Sequence, residues 1–256
     1  MTNLSYEIKQ PARQELRPYI NRCIHFSSLN ESGVQKSLWP EPNIVLLFNF
    51  TRTKLNKEIC SEVVVVGLHD AVYSIQPEGD EVDIIILHFA GIGFSFLSKK
   101  NAINITGRTI NAKDVFGEAI TNLFDEMRLT NIIDERQVML DNFFLPLLEK
   151  PKASFPYLGK LAGALQSDPE FSIPQDTGIT YRHLSRIFKQ RIGVNIKTFR
   201  RLCRFEIAKT LLIKEEGNSL TEIGYESAYY DQAHFAKDFK KLSGLRAKYF
   251  EPLCFI

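Results

Sequence analysis

The sequence predicts an α+β protein: an antiparallel β-barrel or sandwich, then amphipathic helices, then an all-α domain of two helix-turn-helix units joined by a linker helix. Three observations carry that expectation. Short β-branched runs fill the first 90 residues with no helix-length pattern between them, two helical stripes follow, and the last hundred residues contain an internal repeat.

The runs Ile44–Phe50, Glu62–Val66 and Val82–Phe89 read as strands, punctuated by turn formers such as Pro77-Glu78-Gly79-Asp80. Strands that arrive without crossover helices pair antiparallel rather than building a doubly wound sheet. Beyond residue 90 the periodicity changes. Residues 114–129 place Val115, Ala119, Leu123 and Met127 at four-residue intervals, and residues 137–149 add Val138, Leu140, Phe143, Phe144, Leu147 and Leu148, so two amphipathic helices are expected. Pro151 and Pro156 mark a linker. The expected domains are therefore 1–110, 111–153 and 154–256.

With 256 residues, 44% of them hydrophobic and 24% charged, the chain can bury one large core or two medium ones. Its net charge of +2 hides an asymmetry: residues 1–156 carry −3 and residues 157–256 carry +5. Gly178 to Lys214 alone holds ten basic side chains against one acid, Glu206. Cys23, Cys60, Cys203 and Cys254 are far apart, which leaves no zinc ribbon or redox pair and makes each an expected small buried hydrophobe. No basic-then-apolar leader and no membrane-length apolar run is present, so a soluble cytoplasmic chain with no membrane association is expected.

His25, His69 and His88 form no ligand-spaced pair, and no metal or cofactor is expected. Gly91-Ile92-Gly93 lacks the third glycine and the βαβ setting of a nucleotide-binding turn. No nucleophile elbow, phosphate-loop lysine or paired carboxylates stand out, so the chain does not read as an enzyme. Trp39, between the turns around Pro40 and Pro42 and the preceding run, suits core or rim packing better than a ligand pocket.

The repeat aligns His183–Phe199 with His234–Phe250 at an offset of 51, with six of 17 positions identical. In the first copy Leu184, Ile187, Phe188 and Ile192 make one apolar stripe; in the second, Phe235, Phe239 and Leu242 do. Gly193 and Gly244 follow as positive-φ caps. Thr180 is placed to cap the first helix, and Ser219-Leu220-Thr221-Glu222 is a capping-box signature opening a shorter helix before the second copy. A short helix, a turn and a second helix with a polar outer face make a helix-turn-helix, here twice. Residues 197–214 continue the helical pattern between them, as a linker helix of about 27 Å.

Tyr181–Lys189, Phe199–Phe205 and Tyr229–Phe235 resemble the AraC/XylS family of bacterial transcription regulators, and the resemblance covers the last hundred residues. Leu16–Ile20 and Asn43–Phe50 are similar to the cupin-like β-barrel sensor domains of some members. The resemblance implies a sensor or regulatory domain at 1–110, dimerisation helices at 111–153 and a DNA-binding domain at 154–256. Its implied partners are double-stranded DNA, a small-molecule effector, a second copy through residues 114–149, and RNA polymerase where the protein activates. Departures from the family pattern are Ile173-Pro174 in the first scaffold helix, Gly224 for the usual Ala, Ala228 for the usual turn glycine, and Asn195-Ile196 and Arg246-Ala247 for Ser-Pro. They motivate a second expectation: an interaction module whose DNA-binding units have decayed.

Base readers belong near the start of each second helix, which nominates Tyr181, Arg182 and Arg186 in the first unit and Asp231, Gln232 and Lys237 in the second. Thr180, Lys189, Lys197, Arg200 and Lys240 suit phosphate contacts, which set position rather than sequence choice. Asp231 reads more readily as a helix cap, and His183 and His234 as packing residues.

Overall fold

The computed structural model describes residues 5–29, 36–60, 62–148, 154–173, 180–214 and 219–250. Its strands are β1 (Ser5–Lys9), β2 (Ile20–Leu29), β3 (Lys36–Leu38), β4 (Val45–Asn49), β5 (Thr53–Leu55), β6 (Glu58–Ile59), β7 (Val63–Val66), β8 (Tyr73–Pro77), β9 (Glu81–Phe89) and β10 (Thr109–Asn111). They form a six-stranded sheet, β1-β2-β9-β4-β7-β10, and a four-stranded sheet, β3-β8-β5-β6, with every described pairing antiparallel.

The unbroken apolar runs of β4, β7 and β9 have a structural cause. Alternate residues point to opposite faces of a strand, and here both faces are buried. Val45, Leu47, Val64, Val66, Ile84 and Ile86 pack with Leu38, Leu55 and Ile75 of the four-stranded sheet. Leu46, Phe48, Val63, Val65, Ile85 and Leu87 pack on the opposite side against helices.

Helices α1 (Gly93–Leu97), α2 (Lys113–Phe116), α3 (Glu118–Met127) and α4 (Ile133–Phe144) follow. The expected helix at 114–129 is broken at Gly117, whose φ is 72°, and the break shifts the helical phase. Ile120, Leu123, Phe124 and Met127 are therefore buried while Ala119 is exposed. The second helix begins at Ile133, not 137, and turns Val138 outward. Its buried face carries Arg136, Gln137 and Asp141 among Ile133, Leu140 and Phe144. Arg136 makes a bidentate bond to Asp83 at 2.7 and 2.8 Å, donates to the Met127 and Thr130 carbonyls, and lies 3.9 Å over the Phe50 ring. His25 joins the same carboxylate at 2.8 Å.

The remaining helices are α5 (Ser154–Ser167), α6 (Tyr181–Ile192), α7 (Ile196–Lys214), α8 (Leu220–Glu226) and α9 (Gln232–Ser243). Pro156 lies within the first turn of α5 rather than in the linker; an early helical position tolerates proline because its missing N–H would have no intrahelical partner. Pro174 and Glu149 lie outside the described residues. Residues 168–173 form a turn, not a scaffold helix, with the Asp168 carboxylate accepting from the Glu170 N–H at 2.9 Å.

One apolar core runs from the sheet into the helical domain, joining Phe89, Phe94 and Leu97 to Leu161, Phe188, Phe199, Phe205 and Phe239. Trp39 is buried at this seam, 4.4 Å from the Phe250 ring. The Gly91-Ile92-Gly93 turn serves close packing: a Cβ on Gly93 would overlap the Tyr19 carbonyl, and one on Gly91 would lie 3.2 Å from Ala162. Cys23 and Cys203 are buried and Cys60 half-buried, all three free thiols. Burial pushes Cys23 up to about 12 and Cys60 up to about 11, and raises Cys203. Cys254 lies outside the described residues. No helix of the described residues is long and apolar enough to cross a membrane.

Candidate nucleic-acid interface

The two repeat copies, α6 and α9, are built alike. Thr180 caps α6, its hydroxyl accepting from the His183 N–H at 3.3 Å; Asp231 caps α9, its carboxylate accepting from the His234 N–H at 2.7 Å. Each helix ends at a left-handed glycine, Gly193 with φ 106° and Gly244 with φ 75°. Leu184, Phe188 and Ile192 bury one face of α6, and Phe235, Phe239 and Leu242 bury the matching face of α9.

The opposite faces are open. Tyr181, Arg182, Arg186 and Lys189 are exposed on α6, and Asp231, Gln232, Lys237 and Lys240 on and before α9. Arg186 reaches Gln190 at 3.5 Å and His183 at 3.4 Å, contacts within its own helix that a nucleic acid could replace. His183 and His234 are both exposed; His234 stands edge-on to the Tyr229 ring at 5.2 Å.

The second unit is complete. Ser219 and Glu222 close the capping box of α8, with bonds of 3.2 and 2.7 Å. Ala228 then adopts φ 61° in the turn, the left-handed conformation that glycine adopts without steric cost. Gly224 is buried with the Phe235 side chain close by, a Cβ there lying 3.4 Å from it. Arg201 of the linker helix donates to Asp238 of α9 at 2.5 Å, and Tyr229 donates to the same carboxylate at 3.4 Å, tying α9 to α7.

Several cations of the basic stretch are thus engaged internally. Arg204 pairs with Glu170 at 2.7 Å, Lys209 with Glu206 at 2.7 Å, and Arg200 donates to the Phe171 carbonyl at 2.8 Å. Thr180 and Lys197 remain exposed, Thr180 already serving as a cap.

Two features had no sequence signal. The carbonyls at the end of α6 are held by the β-domain: Ser95 donates to Arg191 and Thr106 to Gly193, both at 2.8 Å. A buried carboxylate, Glu41, meets His88 at 3.0 Å and Arg22 at 3.4 Å, and Arg22 in turn faces Glu206 of α7 at 3.9 Å. Burial raises the Glu41 pKa, but His88, Lys209 and Arg22 outweigh it and hold the carboxyl well below its ordinary range. His69 is stacked on Tyr73.

Paired, capped helices with basic outer faces define a helix-turn-helix domain. Residues 175–250 match the family described as helix-turn-helix domain. That domain is of the AraC type, so the resemblance to AraC/XylS regulators holds for it. No curated protein matches the chain. Among solved structures, the chain is similar to ToxT from Vibrio cholerae at 10% identity, over 96% of this chain and 97% of that one, with a TM-score of 0.49. It is also similar to ToxT from Vibrio cholerae O395 bound to (E)-4-(8-methylnaphthalen-1-yl)but-3-enoic acid, at 12% identity over 96% and 98%, with a TM-score of 0.49.

Proposed function

We propose that the protein is a cytoplasmic, sequence-specific DNA-binding transcription regulator that reads two adjacent major grooves with α6 and α9. The observation that carries this is the exposure of Arg182, Arg186, Gln232 and Lys237 on helices whose other faces are buried and whose first turns are capped. The 19 residues of α7 separate the readers. At 1.5 Å per residue they span about 28 Å, close to the roughly 34 Å between successive major grooves on one face of a duplex.

Effector response belongs, in this reading, to the seam between the β-domain and the helices that follow it. An open groove of about 340 Å³ is lined by Glu62, Asn111, Lys113, Ile120 and Phe124, a size and mixture suited to a small molecule. The exposed Leu129, Ile132 and Val138 beside α3 and α4 support self-association there.

The test is a mobility-shift assay with the chain's own upstream region against random duplex. Preferential binding that weakens steeply as salt rises is expected. Absence of binding at low salt, or equal binding to both duplexes, overturns the proposal.

A further inference from the structure

We infer that residues 99–108 of the β-domain form an accessory phosphate-binding ridge that extends the DNA footprint from the first reader onto the amino-terminal domain. The inference rests on the DNA-binding reading above.

The first ground is placement. Ser95 and Thr106 bind the carbonyls of Arg191 and Gly193, so the loop lies directly against the end of α6. Ala102 also lies there, its carbonyl 3.4 Å from where a Gly193 Cβ would stand. Lys189, one helical turn before Gly193, and Lys197, four residues after it, are exposed phosphate candidates that flank this anchored glycine in sequence. Lys100 and Arg108 each sit two residues from an anchor, Ala102 and Thr106 respectively.

The second ground is charge. The amino-terminal part is acidic overall, yet residues 84–113 contain no Asp or Glu and hold Lys99, Lys100, Arg108 and Lys113. Lys100 and Arg108 are exposed, the Arg108 guanidinium donating to the Asn104 carbonyl of its own loop at 3.4 Å, and Lys113 is paired with Glu118 at 2.6 Å. Asp70, which follows the segment paired with Gly107, faces Arg201 of the linker helix at 4.0 Å. A duplex is a line of phosphates, and cations that continue a reader's flank are placed to meet the next ones along it.

The third ground is order. The Lys100 N–H donates to the Ser98 hydroxyl at 3.2 Å, and the Arg108 carbonyl accepts from Gly67 at 2.9 Å, so the ridge is part of the fold's hydrogen-bonded frame.

The experiment measures binding of the full chain to a long duplex of mixed sequence over a range of salt. Three proteins are compared: wild type, Lys100→Gln/Arg108→Gln, and a control, Arg52→Gln/Lys57→Gln, that removes equal charge from the four-stranded sheet. Loss of two phosphate contacts should reduce the slope of log K against log salt by about 1.8. The control should keep the wild-type slope. A ridge variant whose slope equals that of wild type, or changes no more than the control, overturns this inference and leaves the DNA-binding reading standing. Wild-type protein without salt-dependent binding overturns both. Thermal unfolding checks that the exposed substitutions leave the fold intact.

Discussion

Thr106 and Gly193 meet across the two domains: the Thr106 hydroxyl donates to the Gly193 carbonyl at 2.8 Å, and a Cβ on Gly193 would stand 2.7 Å from that oxygen. Gly244 ends the other reader with the same hand of backbone but open space around it. Gly244→Ala should cost only the left-handed penalty, about 1–2 kcal/mol. Gly193→Ala adds displacement of a packed neighbour, about 1–3 kcal/mol more. Thermal unfolding of both variants separates the two costs, and equal losses would show that the domain contact yields freely.

Ala228 gives a prediction of opposite sign. Its φ of 61° is strained for a residue with a Cβ. Ala228→Gly should recover about 1 kcal/mol, raising the melting midpoint by roughly 2–4 °C for a chain of this size. A lowered midpoint would mean that glycine's added freedom in the unfolded chain outweighs the relieved strain.

Acid should weaken the fold through Asp83. Burial raises its pKa, but the His25 and Arg136 contacts outweigh burial and leave the carboxyl below its usual 3.8. A group depressed in the folded state stabilises above its unfolded pKa and loses that contribution as pH falls through the folded value. Stability should therefore decline below about pH 4, with Glu41 adding to the loss because its pKa is lowered too. Asp83→Asn should be less stable at neutral pH, by about 3–5 kcal/mol where the buried Arg136 is left unpaired. It should also show a flatter acid limb in denaturant titrations across pH.

Asp231 can be assigned by two substitutions. Its carboxylate caps α9, and Asp231→Ala should cost about 1 kcal/mol, most of it restored in Asp231→Ser. If base preference tracks stability across the pair, Asp231 acts as a cap. If preference changes equally in both while stability differs, its carboxylate touches bases.

Arg186→Ala should relax discrimination at one base position, by about 1–3 kcal/mol, with little change in melting because the side chain is exposed. Selection of bound sequences from a random pool reads this out. An unchanged preference removes Arg186 from the readers.

Strands β4, β7 and β9, the linker helix and both caps of each reader were legible because their signals are local: continuous apolar runs, a Thr or Asp ahead of a stripe, a glycine after it; β1, β2 and β10 of the same sheet carry no such run and were not. The face of α4 was not. Arg136, Gln137 and Asp141 occupy inward positions at helical spacing, and a pattern scored on apolar residues skips them. Gly117 moved the face of α3 by interrupting a helix that the four-residue spacing had carried through it. Among the site residues, Arg182, Arg186 and Gln232 are exposed, as are most polar residues on the outer faces of these helices. The engagement of Arg200 with Phe171 and the bonds from Ser95 and Thr106 join residues 29 to 96 apart, and no spacing rule announces them.

Because Phe89, Phe188, Phe199 and Phe239 share one oily interior, the two lobes should melt as a cooperative unit. Random mutagenesis for lost gene control would then recover many lesions in strands remote from any duplex. Such alleles would be rescued by unrelated substitutions that stiffen the whole molecule, and not by restoring a single contact.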